Sequence, residues 1–428
     1  MSIRTVFIVL IGATFLSCSV NSKLGRELVM DQADRNDFRG LVVYDLTRDK
    51  ELLNYNGNKY FIPASTVKLF TFYTAYSILP DSVPSLEYLK RGDSLLIRGT
   101  SDPKVLMGEE DQVIEFLKAR DEKIFLVNRS IDDSKYGPGW SWEDYDYSYM
   151  PERSLLPLYG NTVTITFRDS LDIIPKFFKE ALVAKVSDSK SSVRAKPYRD
   201  LNRNRFYPRK LNLGDQRRVP FITSNQLAAD LLGEAVNRKV TLVEDQSGAE
   251  FTELVTRPYD SLYIGMLVES DNFIAEHLML QVGRKLKNEY RVKAGIDHAL
   301  DSLFEDMEHR PRWVDGSGLS RYNLFTPGSM VYLLEKMHRE IPTDKLLAYL
   351  AQGGVSGTLE DYFKSPSGEP YVFAKSGTLA NNYCLSGYLK TKKGRLLAFS
   401  FMDNHFQGAS AERKKELETY LLRLWESN

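Results

Sequence analysis

Apolar positions up to residue 250 come mostly as short runs separated by polar turns, a pattern typical of strands. The runs at 40–46 and 51–55 flank a short polar turn and predict a pair of neighbouring strands. The next stretch, 65–79, is apolar on nearly every side, which predicts a helix at the centre of a domain. Further on, strands are predicted at 95–99, 124–128 and 162–167, and a helix at 113–119.

Helical spacing dominates after residue 255, and strands return only near the end of the chain. Helices are predicted at 262–268, 273–286, 292–304, 327–338 and 343–350, strands at 371–375, 383–389 and 396–402, and a final amphipathic helix at 411–425. Because the first and last strands are needed to complete one sheet, we expect a split domain made of 19–80 and 251–428. The segment 81–250 is then a long insertion, and the fold class is α/β of the α+β kind.

Three short motifs occur along this pattern: Ser65–Lys68 (S-x-x-K), Ser270–Asn272 (S-D-N) and Lys375–Thr378 (K-S-G-T). A serine hydroxyl is a weak nucleophile and needs an adjacent base. Residues three apart at the start of a helix share a face, so Lys68 can reach Ser65. Apolar surroundings, the cation of Lys375 and the helix N-terminus would each lower the pKa of Lys68 and prepare it to accept a proton.

Each motif alone is a weak signal, since S-x-x-K recurs at Ser187–Lys190 within a polar stretch. The order and the context favour a catalytic interpretation. We expect Ser65 to open and cap a buried helix, and Lys375–Thr378 to end an apolar strand. Ser270 can relay a proton between Lys68 and a leaving amine, or cap the helix that follows it, or do both. Asn272 can hold Lys68 and a substrate amide.

The third motif predicts a binding site for a carboxylate. Lys375 offers a fixed cation, and the hydroxyl of Ser376 can bond to the same carboxylate. Gly377 leaves room for a substrate to lie against the strand. The backbone N–H groups of Ser65 and Thr378 are candidates for an oxyanion hole.

Composition narrows the function further. Lys plus Arg and Asp plus Glu number 57 each, and this balance argues against a general nucleic-acid binder. The five histidines show no metal-binding spacing, and no Gly-rich phosphate loop is present. We therefore expect no metal, no nucleotide cofactor and no nucleic-acid partner.

The N-terminus predicts export. Arg4 precedes an apolar run at 6–16, which is too short to span a bilayer and suits a signal peptide. The run ends at Ser17 and Cys18, which resembles a bacterial lipoprotein processing site. We expect 1–18 to be a signal peptide and Cys18 to become lipidated; the alternative is an ordinary signal with an incidental cysteine. The other cysteine, Cys384, lies in an apolar run and is predicted to be buried.

Beyond the motifs, the chain resembles the class C low-molecular-mass penicillin-binding proteins, the D-alanyl-D-alanine carboxypeptidase/endopeptidase family. The resemblance rests on four stretches, 97–103, 137–140, 315–321 and 354–359, and on the long separation of the first two motifs. It implies a penicillin-recognising serine transpeptidase/β-lactamase-like fold, in which helices flank an antiparallel sheet. We interpret Asp315–Gly318 as a turn beside the site that serves as scaffold.

The same resemblance implies a reaction and a place for it. Peptidoglycan stem peptides would acylate Ser65 in the periplasm, water would release the product, and β-lactams would inhibit. The sequence does not decide between carboxypeptidase and endopeptidase activity. Two alternatives stay open: a β-lactamase or esterase with the same motifs, and a catalytically silent cell-wall-binding protein.

Overall fold

The computed structural model describes residues 37–108, 110–183, 196–208, 211–245, 248 and 250–427. The predicted signal peptide, Cys18 and the second S-x-x-K at 187–190 lie outside these residues. Within them, no helix is both long enough and apolar enough to cross a membrane.

The described chain contains both strands and α-helices. The strands are β1 Phe38–Asp45, β2 Lys50–Tyr55, β3 Ser82–Arg91, β4 Ser94–Gly99, β5 Lys123–Asn128, β6 Thr162–Phe167, β7 Leu171–Ile174, β8 Tyr198–Arg199, β9 Phe206–Tyr207, β10 Gln216–Pro220, β11 Val240–Glu244, β12 Thr252–Pro258, β13 Ala351–Gln352, β14 Val372–Leu379, β15 Asn382–Lys390 and β16 Leu396–Asn404. The α-helices are α1 Lys68–Ile78, α2 Gln112–Lys118, α3 Asn225–Val236, α4 Asp260–Leu267, α5 Asn272–Lys287, α6 Val292–His298, α7 Pro327–Glu340, α8 Thr343–Ala348 and α9 Ser410–Ser427.

The chain forms two compact units. The first contains the described residues up to Tyr73, Tyr263–Ser270, and the described residues from Ala299 onward. The second contains the described residues of Thr74–Leu262 and Asp271–His298. These units are defined by packing, whereas the predicted insertion 81–250 is defined by chain order, so the domain boundaries stay a prediction.

The first unit is built on a six-stranded sheet in the order β13-β14-β15-β16-β1-β2, in which all neighbours are antiparallel. Side chains alternate between its faces. Leu41 and Phe399 lie in a buried cluster with Leu421 of α9. On the other face, the hydroxyl of Tyr388 donates to the carbonyl of Leu334 in α7. The predicted antiparallel sheet with flanking helices is confirmed, and Cys384 is fully buried as predicted.

The second unit has a mixed five-stranded sheet, β11-β5-β4-β3-β12, in which β5 runs parallel to both of its neighbours. A three-stranded antiparallel sheet, β10-β6-β7, and a short pair, β8-β9, accompany it. One core joins these parts, since Ile97, Val163 and Leu231 belong to the same buried cluster. The unit therefore has a core of its own.

Two predicted boundaries were wrong. The helix predicted at 292–304 ends as an α-helix at His298 and continues as a π-helix, Ala299–Leu303. The strand predicted at 371–375 runs from Val372 to Leu379, because β15 pairs with it along its whole length. The K-S-G-T motif therefore lies within the strand and does not end it.

Candidate active site

Ser65 lies in a tight 3₁₀ turn, Ala64–Val67, which leads into α1. The prediction that Ser65 caps the helix was wrong, because no side chain caps this turn. Instead, the hydroxyl of Thr66 donates to the carbonyl of Pro63 at 2.7 Å. Ala64 has a φ of +50°, a left-handed conformation that is uncommon for a non-glycine residue and is often found at functional sites.

Lys68 is fully buried at the first position of α1. Its Nζ lies 2.8 Å from Ser65 Oγ, within hydrogen-bond distance. The same Nζ donates to the backbone carbonyl of Ser317 at 2.6 Å. The predicted contact between Ser65 and Lys68 is therefore present, together with a backbone partner from a distant part of the chain.

That backbone partner belongs to a buried loop organised by Asp315. The carboxylate of Asp315 accepts hydrogen bonds from the N–H groups of Gly318 (2.9 Å) and Ser320 (2.7 Å) and from the side-chain amide of Asn323 (2.7 Å). These bonds fix the path of the backbone through Ser317. Asp315 thus shapes the loop that holds Lys68.

The loop also lies directly against the Ser65 turn. Gly318 has a φ of +85°, and a Cβ there would lie 2.0 Å from the carbonyl oxygen of Ala64. One turn further along α1, the hydroxyl of Thr71 donates to the carbonyl of Gly316 at 2.6 Å. We call residues 315–320 the Asp315 loop. Its backbone contacts both α1 and the turn that precedes α1.

The strand β14 packs against the other side of the nucleophile turn. A Cβ on Gly377 would lie 2.7 Å from the carbonyl oxygen of Pro63 and 2.8 Å from the amide nitrogen of Ser65. Gly377 is therefore required for close approach of two backbones, whereas the sequence suggested that it makes room for substrate. The same contact places the amide of Ser65 beside Gly377, the residue that precedes Thr378 in β14.

Lys375 is a second buried cation in the site. Its side chain is fully buried, and its Nζ donates to the carbonyl of Ser376 at 2.7 Å. Burial lowers the pKa of Lys375 well below its ordinary value, and the positive charge of Lys68 lowers it further. Two ammonium groups repel each other here, so loss of a proton from one of them is favoured.

A hydrogen-bonded contact links β14 to the segment that carries Ser270. The hydroxyl of Ser376 donates to Thr358 Oγ1 at 2.8 Å, and the amide of Thr358 donates to the carbonyl of Val268 at 3.3 Å. Gly357 fits against Val268, because a Cβ there would lie 2.4 Å from its carbonyl oxygen. Thr358 therefore connects the third motif to the segment just before the second motif.

Ser270 does not cap the helix that follows it. The carboxylate of Asp271 accepts the amide N–H of Ile274 at 3.0 Å and is the N-cap of α5, so the capping interpretation was wrong. Ser270 has a φ of +61°, so it is left-handed like Ala64, the residue before the first motif. Asn272 begins α5 in the second unit, where its side-chain amide donates to the carbonyl of Tyr149 at 2.9 Å. Its predicted contact with Lys68 stays a prediction.

A family comparison decides the wider relationship. The model of the D-Ala-D-Ala carboxypeptidase 3 (S13) family matches residues 25–181 and 222–424. The chain belongs to this family. The resemblance inferred from the motifs is confirmed, and so is the assignment of the chain as an enzyme, a hydrolase of the serine type.

Two relatives of this S13 chain align with most of its length. The D-alanyl-D-alanine carboxypeptidase DacB of Haemophilus influenzae is 26% identical and covers 88% of this chain and 87% of its own. The D-alanyl-D-alanine carboxypeptidase of Actinomadura sp. (strain R39) is 24% identical and covers 89% of this chain and 80% of its own.

Solved structures show the same fold. The crystal structure of penicillin binding protein 4 (dacB) from H. influenzae has a TM-score of 0.76 at 20% identity, and covers 95% of this chain and 98% of its own. The same protein has been solved with a β-lactam, at a TM-score of 0.68 and 20% identity with the same coverage. The peptidoglycan endopeptidase Bd3459 from Bdellovibrio bacteriovorus is more distant, with a TM-score of 0.55, 13% identity, and coverage of 92% and 94%.

Sequence reasoning missed two parts of this S13 site. The carbonyl of Ser317 and the hydroxyl of Thr358 both contact motif residues, yet neither stood out as a functional group. The stretches that contain them, 315–321 and 354–359, carried the family resemblance and were the available signal. Among the described residues, no group of His, Cys, Asp or Glu side chains is arranged to hold a metal ion.

Proposed function

We propose that this S13 member hydrolyses D-alanyl-D-alanine peptides of peptidoglycan through an acyl-enzyme on Ser65. The observation that carries the proposal is the 2.8 Å contact between Ser65 Oγ and the buried Nζ of Lys68. A serine and a buried amine at this distance form a nucleophile and its base. Lys375, buried beside them on β14, supplies the means of recognising an anionic peptide terminus.

Acylation starts from neutral Lys68. A neutral amine has two N–H donors and one lone pair, and the Ser317 carbonyl accepts one donor at 2.6 Å. This bond helps to orient the lone pair toward Ser65 Oγ. As Oγ attacks the carbonyl carbon of the penultimate D-alanine, its proton moves to Lys68 Nζ.

Substrate binding uses β14. The Lys375 ammonium pairs with the terminal carboxylate, and the Ser376 hydroxyl, held by Thr358, bonds to the same group. The amides of Ser65 and Thr378 donate to the oxyanion that develops during attack. Such donors contribute about 3–4 kcal/mol each in other serine hydrolases.

Breakage of the C–N bond releases an amine, which takes a proton from Lys68 through Ser270. Terminal D-alanine is the leaving group in a carboxypeptidase reaction, and a cross-linking amine is the leaving group in an endopeptidase reaction. Water then attacks the ester carbonyl; Lys68, neutral again, takes a proton from the water and passes it to Ser65 Oγ as the ester C–O bond breaks. The names of both carboxypeptidase relatives support the first reaction, which we take as the principal activity.

A fluorescent penicillin tests the acyl-enzyme. We expect one covalent adduct on Ser65, absent in Ser65→Ala, which persists long enough to be seen on a denaturing gel. An unlabelled wild-type protein at saturating drug would contradict the proposal. Rapid release of hydrolysed penicillin would instead favour the β-lactamase alternative. Mass analysis of products from monomeric and cross-linked muropeptides separates carboxypeptidase from endopeptidase activity.

We also propose that the mature protein is periplasmic and is anchored to a bacterial membrane through a lipidated Cys18. The short apolar run and the cysteine that follows it support this. Cells grown with labelled palmitate should yield labelled protein, and Cys18→Ser should abolish the label. Cys384→Ala is the matched control and should keep it; label that survives in Cys18→Ser would refute the anchor.

A further inference from the structure

The second unit contains a pocket with aromatic walls that is distinct from the Ser65 site. Its volume is about 460 Å³, and its lining includes Tyr136, Trp140, Trp142 and Tyr145. Trp142 is 68% exposed, which is unusual for a large apolar side chain and leaves a ring face open to a ligand. Another wall of the pocket is formed by Arg199, Leu201, Asn202 and Ile222.

Buried Arg199 builds that wall. Its guanidinium donates to the carbonyls of Pro220 (2.9 Å), Asp200 (2.6 Å) and Leu201 (3.1 Å). The hydroxyl of Tyr145 donates to the carbonyl of Arg199 at 3.0 Å, so the two sides of the pocket are joined. Arg199, Leu201 and Asn202 belong to the segment 182–221, which lies outside the match to the family model.

The charged groups of the pocket are engaged in structural bonds. Besides the three bonds of Arg199, the carboxylate of Glu152 accepts hydrogen bonds from Lys135 at 3.0 Å and from the amide of Thr223 at 2.7 Å. Arg153 lies over the ring of Trp140 and Arg199 over the ring of Tyr145, so exposed Trp142 is the main aromatic surface presented to a ligand. Such a surface suits an uncharged ligand better than an ion.

A second pocket of about 410 Å³ adjoins the first, since Asn202 and Ile222 line both. Phe177 lines the second pocket and is 46% exposed. Asn202 brings an amide to both pockets, and Arg203 and Glu180 bring groups of opposite charge to the second pocket. We call these two neighbouring pockets the groove; each of them has one exposed aromatic ring, Trp142 in the first and Phe177 in the second.

We propose that this groove binds the glycan strand of peptidoglycan, a polymer of N-acetylated amino sugars. A sugar ring has an apolar C–H face, which can stack on Trp142 or Phe177, and a polar rim, which can bond to Asn202 and Arg203. Two adjoining pockets match successive sugar units. The choice of this glycan rests on the proposed action on peptidoglycan; the stacking chemistry rests on the groove.

Bare glycan strands test the proposal. Peptidoglycan stripped of its stem peptides by an amidase, and a soluble tetramer of β-1,4-linked N-acetylglucosamine, are titrated into the full-length protein. We expect saturable binding, with the tetramer bound more tightly than the monosaccharide. Trp142→Ala should weaken binding about tenfold or more, since ring stacking commonly contributes at this level. Phe177→Ala should weaken binding of the tetramer more than binding of the monosaccharide.

Leu213→Ala is the matched control, because Leu213 belongs to the same segment and is 74% exposed but lines neither pocket. It should bind like wild type. Absence of glycan binding by wild type, normal binding by Trp142→Ala, or binding of detached stem peptides alone would each overturn the proposal. Penicillin labelling of Ser65 in the same samples reports the catalytic site separately, so the two proposals fail independently.

Discussion

At Lys68, a single buried nitrogen contacts both the nucleophile and a backbone carbonyl. Its position follows from helix geometry, which places residues three apart on one face, and could be predicted from the sequence. The carbonyl of Ser317 could not be predicted, because it lies 249 residues away and every residue type carries a carbonyl. The sequence therefore predicted the contact between two residues of one motif, but not the partner that a distant loop supplies.

Removal of the Lys68 amine should leave a folded but slow enzyme. We expect Lys68→Met, which has similar length and no base, to lower the rate of penicillin acylation about 10²–10⁴-fold. Stopped-flow acylation measures the rate, and thermal unfolding shows whether the fold persists. Acylation within a few fold of wild type in a folded variant would exclude Lys68 as the base.

Because of Lys375, substrate binding should weaken at alkaline pH. Its pKa is lowered by burial and by Lys68, so it loses its proton at a lower pH than an ordinary lysine. Because the charged form binds the carboxylate, KM for a D-alanyl-D-alanine peptide should rise as pH increases through this pKa. A peptide amidated at its terminus should not show the rise. Lys375→Arg should move the rise to higher pH, since guanidinium keeps its charge; a KM independent of pH for the acid peptide would contradict this.

At the level of elements, the Asp315 loop and β14 enclose the Ser65 turn from two sides. Long apolar runs made α1 and the last three strands predictable, and the helical spacing of apolar positions did the same for α7. β3 and β12 were missed, because β3 contains Pro84 and several charged residues, and most of β12 is partly or fully exposed. Strands of this kind lack the apolar pattern that sequence reasoning uses.

Gly318→Ala should disturb the nucleophile itself. The new Cβ would lie 2.0 Å from the Ala64 carbonyl at a φ of +85°, so the loop or the turn must move. We expect a loss of about 1–3 kcal/mol in the free energy of unfolding and slower acylation. Gly394→Ala is the matched control, since Gly394 has a φ of +79° with nothing within 4 Å of its Cβ position. Gly394→Ala should leave the rate of acylation unchanged. If the two variants were acylated at equal rates, the contact between Gly318 and Ala64 would not matter for the nucleophile.

At the scale of the whole molecule, the first strand, β1, pairs with β16 and so joins the sheet of the last three strands. Arg39 on β1 donates to Asp403 on β16 at 3.0 Å and to Glu416 on α9 at 2.8 Å. Burial, and then the negative charge of Asp37, raise the pKa of Asp403 from 3.8 to about 7, against the opposing effect of Arg39. The two ends of the described chain thus meet around a carboxyl that titrates near neutrality.

This carboxyl should make stability depend on pH. Because its pKa is higher in the folded state, the folded protein binds the proton more tightly, and stability should fall as pH rises from about 4 to about 7. One pKa unit corresponds to about 1.4 kcal/mol, and we expect a change of at least this size. Asp403→Asn should flatten the dependence in denaturant unfolding, whereas Asp93→Asn, at an exposed site, should not. If the free energy of unfolding of the wild type rose between about pH 4 and about pH 7, the raised pKa of Asp403 would be contradicted.

The Asp315 loop has a consequence for the protein's synthesis. The base at residue 68 is oriented by a carbonyl at residue 317, and the nucleophile turn is braced by a glycine at residue 377. A ribosome releases these segments in order, so a nascent chain holds its serine long before it holds the groups that contact it. The proposed catalytic site therefore cannot assemble until most of the chain has been made, and labelling of Ser65 by penicillin should report completed folding.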